Sequence, residues 1–205
     1  MRPAPSYGVA VPIRTFALGN TRLATGLDHA AREELARQLA GRVVTAAGSA
    51  PVVIVTSAPE VVEWAHAAGV MVVADPGGLD RAAAAGVAAL ADLGCVRAVV
   101  AHADLPFARS FQPLVSDAGR PVATFVPCHH DDGTPVLSVP VDTPFGFAYG
   151  PGSFRRHLAA ARAAGLAVRV IRDPDLAFDV DTLADLHELA RRDPGLVPGP
   201  VTLPS

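Results

Sequence analysis

Short β-branched runs alternate with longer Ala- and Leu-rich segments along most of this chain, and this alternation limits the folds that the chain can adopt. A buried parallel strand reads as a continuous run of Val and Ile, whereas the helix that follows it repeats apolar residues every three to four positions. The run at 51–56 is typical of such a strand, and Leu35, Leu39 and Val43 share one face of a helix predicted over 28–47. The pattern predicts an α/β fold with a Rossmann-like mixed sheet and helices on both faces.

The same pattern predicts one domain rather than several. Further strands are predicted at 7–13, 70–74, 96–102, 121–127 and 166–171, further helices at 58–69, 79–93, 110–118 and 153–164, and a last helix after Thr182. Regular order breaks at 128–152, where we expect an insertion whose two short antiparallel strands, 136–139 and 145–149, overhang the parallel sheet. We therefore predict a single domain over 1–193 with a strand insertion at 128–152. The tail 194–205 holds four prolines and two glycines, which predicts an extended or disordered segment.

Two short patterns predict where helices begin. Ser57-x-x-Glu60 and Thr182-x-x-Asp185 both have the form of a capping box, in which two side chains satisfy free amides at a helix start. Ser153 follows a glycine-rich turn and is predicted as the N-cap of its helix.

Composition excludes two classes of function. All seventeen basic residues are Arg, they are scattered along the chain, and the net charge is -3, so a general nucleic-acid surface is not expected. Apolar stretches are far shorter than the ~20 residues that cross a bilayer, and the first residues lack a secretory signal. We expect a cytoplasmic protein without a membrane segment, and its size and apolar content are compatible with a homodimer.

Cysteine usage gives no framework of disulfides, because the chain has only Cys95 and Cys128. The segment Cys128-His-His-Asp-Asp132 suggests a zinc site. Adjacent residues rarely converge on one zinc ion, whose ligands are usually spaced as C-x₂₋₄-C or H-x₃₋₅-H, so this interpretation is disfavoured.

Four loop segments carry candidate chemistry. The long loop 11–23 follows the first predicted strand, and its Arg14 and Arg22 can bind anionic oxygens, although a plain surface loop is an equal alternative. This loop matches neither a Walker A loop nor a G-x-G-x-x-G fingerprint. The turn Gly150-Pro-Gly-Ser153 precedes a helix and can offer its amides to a carboxylate or phosphate, or it can be an ordinary cap.

Acidic residues lie in loop segments that follow two of the predicted strands. His102 and Asp104 lie two apart and project to the same side of an extended chain, and Asp179 and Asp181 have the same spacing. Carboxylate oxygens suit Mg²⁺, which takes one or two of them and completes its shell with phosphates and water. The alternative is that these side chains cap the helices that follow. Because both segments are expected at one edge of the sheet, they can hold a divalent ion between them.

Taken in order, these motifs carry a family resemblance. Val11-Pro-Ile-Arg14, Asn20-Thr-Arg-Leu23, Ala103-Asp-Leu-Pro106, Asp132-Gly-Thr134, Gly150-Pro-Gly-Ser-Phe-x₂-His157 and Asp179-Val-Asp181 together resemble the CofC/FbiD type of guanylyltransferase over residues 7–190. The resemblance implies the fold of the nucleotide-diphospho-sugar transferases. It implies Mg²⁺-dependent condensation of GTP with a small phosphorylated acid, phosphoenolpyruvate or 2-phospholactate, with release of pyrophosphate in biosynthesis of coenzyme F(420).

The resemblance also implies roles for individual residues. Thr134, Gly150 and Ser153 match positions that bind the acceptor, Asp104, Asp179 and Asp181 match the metal-binding positions, and Arg14 and Arg22 with Asp104 are the expected catalytic residues. The chain departs from the family at Arg14 and Asn20, where lysines are usual, and at Asp80 and Pro135, where asparagines are common. Another nucleotide, a sugar-phosphate acceptor, or an inactive nucleotide-binding paralogue therefore stay as alternatives.

Overall fold

A seven-stranded mixed sheet organises the molecule in the computed structural model, which describes residues 6–17, 23–24, 26–116, 120–129 and 131–198. The strands are β1 (Gly8–Pro12), β2 (Val52–Val55), β3 (Met71–Val73), β4 (Arg97–Ala101), β5 (Val122–Val126), β6 (Val136–Pro140) and β7 (Ala167–Val170). Their order is β3-β2-β1-β4-β6-β5-β7. Only β6 among these strands runs antiparallel to its neighbours, β4 and β5.

Helices cover both faces of this sheet, as the sequence predicts. Among the described residues the α-helices are α1 (His29–Ala46), α2 (Pro59–Ala67), α3 (Leu79–Asp92), α4 (Ser153–Ala163) and α5 (Leu183–Arg192). Successive strand residues alternate between the faces: Val9 and Val11 pack in the core beneath α1 and α2, whereas Ala10 packs beneath α3 and α4. A third apolar cluster joins α1 to α5.

The insertion takes a different form from the one expected. Strand β6 does not overhang the sheet but lies in its middle, with all five of its residues buried. Ser138 pairs in register with Val99 of β4 and with Thr124 of β5. A run that is apolar on both faces can be buried on both faces, which explains its central place.

The prediction of a second strand in the insertion, at 145–149, was wrong. The backbone amides of this segment bond to side chains instead of to a neighbouring strand: Ala148 donates to His157 Nε2 at 3.0 Å and Tyr149 donates to Asp80 Oδ1 at 2.6 Å. The aromatic residues Phe145, Phe147 and Tyr149 pack against the core beneath α3 and α4. The segment therefore closes over the core without joining the sheet.

The two predicted capping boxes had different outcomes. At α5 the prediction is confirmed, since Asp185 donates its amide to Thr182 Oγ1 and accepts from the amide of Thr182. At α2 it was wrong, because Pro59 occupies the first turn and Ala58 is the N-cap. Ser57 instead accepts from the amide of Asp75 at 3.1 Å.

Two smaller expectations also differ. The helix predicted over 110–118 is only a 3-10 turn at Gln112–Leu114, with 117–119 outside the described residues. The predicted disordered tail begins with a 3-10 turn at Pro194–Leu196, and Leu196 is buried against the cluster around α5. The domain boundary at residue 193 stays a prediction. No helix in the described ranges is both long and apolar enough to cross a bilayer.

The close contact between α3 and the sheet can be tested by adding a methyl group at Gly86. A Cβ added at Gly86 would lie 2.6 Å from Ala10 Cβ and 3.2 Å from Val55 Cγ2. We expect Gly86→Ala to lower the free energy of unfolding by about 1–3 kcal/mol, because overpacking outweighs the gain in helix propensity. Urea denaturation at fixed pH measures the change.

The matched control is Gly41→Ala in α1, where an added Cβ meets nothing within 4 Å. We expect this variant to gain roughly 0.5–1 kcal/mol. If both alanine variants were equally stabilised, the packing of α3 on β1 and β2 would be wrong.

Candidate functional site

A cavity of about 330 Å³ opens at the carboxyl ends of β1 and β4. Arg14 follows β1 and lines one side, and His102 and Asp104 follow β4 and line another, with Asp181 beside them. Open α/β sheets bind ligands at this edge because the strand ends and their loops meet there. The cavity therefore brings a cation and two carboxylates from three separate segments to one place.

The two acidic segments are joined by their backbones. The amide of Val180 donates to the carbonyl of Asp104 at 3.2 Å, which holds the 179–181 stretch beside the end of β4. Oδ1 of Asp104 is buried and has no hydrogen-bond partner. Burial, followed by the negative charge of Asp181, raises the pKa of Asp104 to about 7. Burial and the charges of Asp104 and Asp181 likewise raise the pKa of Asp179 to about 6.

These carboxylates fit a hard divalent cation. A buried oxygen without a partner and acids whose charges repel one another are both relieved by a bound cation. No group of three or more His, Cys, Asp or Glu residues in the described ranges is arranged to hold a metal ion by itself. Mg²⁺ usually takes only one or two protein carboxylates and shares its shell with substrate phosphates. Asp104 and Asp181 are suited to that shared coordination.

Asp179, the third acidic residue, faces a histidine. Its Oδ1 lies 3.4 Å from Nδ1 of His129, and Nε2 of the same ring lies 3.2 Å from Oδ1 of Asp185. From the sequence, His129 was a candidate only as part of a possible zinc site with Cys128. In the structure the buried sulfur of Cys128 instead accepts from the amide of Gly133 at 3.1 Å.

A second set of polar groups lies at the start of α4. Oγ1 of Thr134 is 3.4 Å from Oγ of Ser153, and both side chains are buried. Thr134 Oγ1 also lies 3.1 Å from Nδ1 of His157. Because Nε2 of His157 accepts the amide of Ala148, a neutral ring carries its proton on Nδ1 and donates to Thr134. The hydroxyl hydrogen of Thr134 is then left for Ser153 or for an anion.

Burial keeps His157 in this neutral form, because it lowers the pKa of the imidazole to about 4. Sequence reasoning included His157 in a motif but gave it no role. Its spacing of four residues from Ser153 was the available signal, because residues four apart share one face of a helix.

The glycine-rich turn differs in detail from the prediction. The N-cap of α4 is Gly152, at a φ of 70°, and Ser153 is the first helical residue. Gly150 has a φ of 101°, in a region that L side chains rarely adopt. The amide of Gly152 donates to Asp132 Oδ1 at 3.0 Å, so this amide of the turn is already occupied by a carboxylate.

The two halves of the site adjoin each other. The rings of His102 and Tyr149 lie 5.5 Å apart, and the amide of Tyr149 donates to Asp80. A cavity of about 480 Å³ between Gly77 and Gly150 shares Leu79 with the first cavity. The site thus runs from the acidic segments to the turn before α4.

Three of the four family departures, Arg14, Asp80 and Pro135, fall among the described residues around the site. Asp80 accepts the amide of Tyr149, and the carbonyl of Pro135 accepts the amide of His102 at 2.9 Å. Arg22 and Asn20 lie outside the described residues.

Comparison with known proteins assigns the chain to a family. A model of the family "Guanylyl transferase CofC like" matches residues 7–193. The chain belongs to this CofC-like family. A phosphoenolpyruvate guanylyltransferase from Sphaerobacter thermophilus is 35% identical over 191 residues, covering 90% of this chain and 92% of the relative. One from Rubrobacter xylanophilus is 33% identical, covering 90% and 93%.

Solved structures agree on the fold of this CofC-like chain. A Desulfovibrio desulfuricans protein assigned to the nucleotide-diphospho-sugar transferases superposes with a TM-score of 0.76 at 20% identity, covering 92% of this chain and 88% of that one. A nucleotidyl transferase from Methanothermobacter superposes with a TM-score of 0.64 at 15% identity, covering 91% and 97%. The CofC-like chain is therefore a nucleotidyltransferase with the fold that the sequence predicted.

The buried carboxylate of Asp104 makes stability depend on pH. An acid whose pKa is higher in the folded state takes up a proton on folding, so its contribution is present below about pH 4 and is lost as pH rises through about 7. In EDTA, we expect Asp104→Asn to raise the free energy of unfolding by about 1–3 kcal/mol at pH 8. At pH 4 the gain should vanish, and urea denaturation at both pH values measures it.

Asp92→Asn, at an exposed position at the end of α3, is the control and should change stability by less than about 0.5 kcal/mol at either pH. Equal free energies of unfolding for the Asp104→Asn variant and the parent chain at pH 8 would show that the ionised carboxylate of Asp104 does not destabilise the fold.

Proposed function

We propose that this protein condenses GTP with a phosphorylated three-carbon acid, phosphoenolpyruvate or 2-phospholactate, and releases pyrophosphate in biosynthesis of coenzyme F(420), with Mg²⁺ as cofactor. The observation that carries the proposal is the meeting of Arg14, Asp104 and Asp181 at one cavity. The two relatives described above are named phosphoenolpyruvate guanylyltransferases, and this supports the choice of nucleotide and acceptor.

The reaction needs little proton transfer. An oxygen of the acceptor's phosphate attacks the α-phosphorus of GTP, a new P–O bond forms, and the bond to the bridging oxygen breaks as pyrophosphate leaves with the electron pair. Because the attacking oxygen is already anionic, no general base is required. Catalysis then depends on holding the two substrates in line and on neutralising their charge.

The residues proposed to neutralise the charge of the substrates lie on one side of the cavity. Arg14 follows β1 and offers a guanidinium to phosphate oxygens, and Arg22 in the same loop is expected to do likewise. Asp104 and Asp181, with Asp179 beside them, would hold the cation. When bound, Mg²⁺ supplies positive charge to the phosphate oxygens of the nucleotide.

The acceptor is proposed to bind at the other side. His157 donates to Thr134 and so turns the threonine hydroxyl hydrogen outward toward Ser153 or a bound anion. Gly150 allows the chain to turn closely at the start of α4, where the amides of Gly152, Ser153 and Phe154 already have partners, so the two hydroxyls are the donors proposed for an anion. A carboxylate or phosphate of a small acid matches these donors.

A panel of substrates tests the reaction. Each of the four nucleoside triphosphates is incubated with Mg²⁺ and with phosphoenolpyruvate, 2-phospholactate, phosphoglycerate or a sugar phosphate, and pyrophosphate is followed. We expect release with GTP and one of the first two acids. Release with another pair would identify a divergent transferase, and nucleotide binding without any release would favour an inactive paralogue, for which the loss of a lysine at Asn20 is the motivating feature. Asp104→Asn should abolish release without unfolding the protein.

Loss of one hydroxyl should weaken the acceptor alone. We expect Ser153→Ala to raise the KM for the acceptor about tenfold, the effect of losing one hydrogen bond to a charged group, while the KM for GTP stays unchanged. Ser110→Ala is the control, since Ser110 is exposed and its hydroxyl only accepts the amide of Gln112. An equal rise in both KM values would place Ser153 outside the acceptor site.

The expectations of a homodimer and of a cytoplasmic location stay predictions. Sedimentation of the purified chain measures its oligomeric state.

A further inference from the structure

His129 bridges two carboxylates beside the proposed cation site. It lies in the loop after β5, with Nδ1 at 3.4 Å from Asp179 Oδ1 and Nε2 at 3.2 Å from Asp185 Oδ1. Each ring nitrogen therefore faces a carboxylate oxygen, and Nδ1 also lies 3.4 Å from the carbonyl oxygen of Ala177. The ring is also stacked on Phe178 at 5.5 Å, and the backbone amide of His129 donates to Ala177 at 3.0 Å.

Asp185 transmits this contact to the backbone of the acidic segment. While its Oδ1 faces His129, its Oδ2 accepts from the amide and the hydroxyl of Thr182, both at 2.8 Å, and from the amide of Asp181 at 3.2 Å. The carboxylate is buried, so these contacts are shielded from solvent. His129 therefore contacts the segment directly at Asp179 and reaches the amide of Asp181 through Asp185.

Asp179 belongs to the same short segment as Asp181 and adjoins Val180, whose amide donates to the carbonyl of Asp104 at 3.2 Å. Its charge interacts with those of Asp104 and Asp181, and its side chain is only 15% exposed. A carboxylate has two oxygens, so a contact of Oδ1 with His129 is compatible with coordination through the other. Carboxylates that bind metals are commonly oriented by a hydrogen bond of this kind, and loss of the partner costs 10- to 100-fold in metal affinity.

We propose that His129 is a positioning residue: it orients Asp179 directly, and Asp181 through Asp185, so that the acidic segment binds a divalent cation together with Asp104. The inference rests on the cation of the proposed function. It assigns to the loop after β5 a part in metal affinity that is separate from any contact with substrate.

Three substitutions at one position separate the two contacts. His129→Ala removes both ring nitrogens and so both contacts with the carboxylates of Asp179 and Asp185. In His129→Asn the amide nitrogen occupies roughly the place of Nδ1 and can still reach Asp179, whereas in His129→Gln it occupies roughly the place of Nε2 and can still reach Asp185. His66→Ala, at an exposed histidine in the last turn of α2, is the matched control.

Metal binding is measured without turnover, by following the electron paramagnetic resonance signal of free Mn²⁺ during titration of the protein, alone and with α,β-methylene GTP. We expect His129→Ala to weaken Mn²⁺ binding at least about tenfold, His129→Asn to recover most of the loss, and His129→Gln to recover less. In assays with Mg²⁺, the alanine variant should need more metal for half-maximal activity and keep kcat at saturating metal. The control should bind Mn²⁺ like the parent chain.

The outcomes separate this inference from the proposed function. Unchanged Mn²⁺ affinity in His129→Ala, or equal weakness of all three variants, overturns the positioning role. If the alanine variant does not fold, as judged by thermal unfolding, the comparison of Asn with Gln decides, and equal affinities of those two overturn the role. A parent chain that binds Mn²⁺ but releases no pyrophosphate with any substrate would reject the proposed reaction and leave the role of His129 standing.

Discussion

The constraint on which the site depends is the burial of Asp104 beside other acids. A carboxylate with an oxygen that lacks a hydrogen-bond partner is unfavourable in a folded protein, and neighbouring negative charge makes it more so. The fold holds it there through rigid elements: β4 delivers Asp104, and the hydrogen bond from Val180 fixes the opposite stretch against it. Stability is given up at this point, and the result is a place where a bound positive charge would be favourable.

The rest of the site can be understood as support for that arrangement. His129 and Asp185 hold the acidic segment from behind, and the capping box of α5 shares the carboxylate of Asp185 with them. On the other side, Asp80 and His157 bind the backbone of 148–149 and so fix the turn that leads into α4. Side chains that look like ordinary caps in the sequence therefore also join elements that are distant in the chain.

Much of the fold could be predicted because local pattern and tertiary structure agree. Strands β1, β2 and β4 are apolar runs buried on both faces, and the helices between them have one apolar face, so their existence and type follow from periodicity. Asp104 could be predicted at this edge because it follows a parallel strand, whereas Asp179 and Asp181 lie in an irregular stretch after β7 that the amide of Val180 joins to Asp104.

The rest depended on contacts that no local pattern records. The central place of β6 is a matter of strand order, and the failure of 145–149 to pair depends on His157 and Asp80, which are distant in sequence. His129 was misjudged for the same reason, since its partners lie about fifty positions along the chain.

The reversed direction of β6 has a consequence for how such enzymes diverge. A parallel strand would bring its last residue to the catalytic edge, whereas β6 brings its first, so Thr134 enters the site from the short connection between β5 and β6. The sheet is thereby divided into a block of four parallel strands that carries Arg14 and Asp104 and a smaller block that frames the turn before α4. Under the proposed function, insertions or deletions in that connection can reshape the acceptor pocket while Arg14 and Asp104 keep their geometry, so acceptor choice and chemistry can evolve separately.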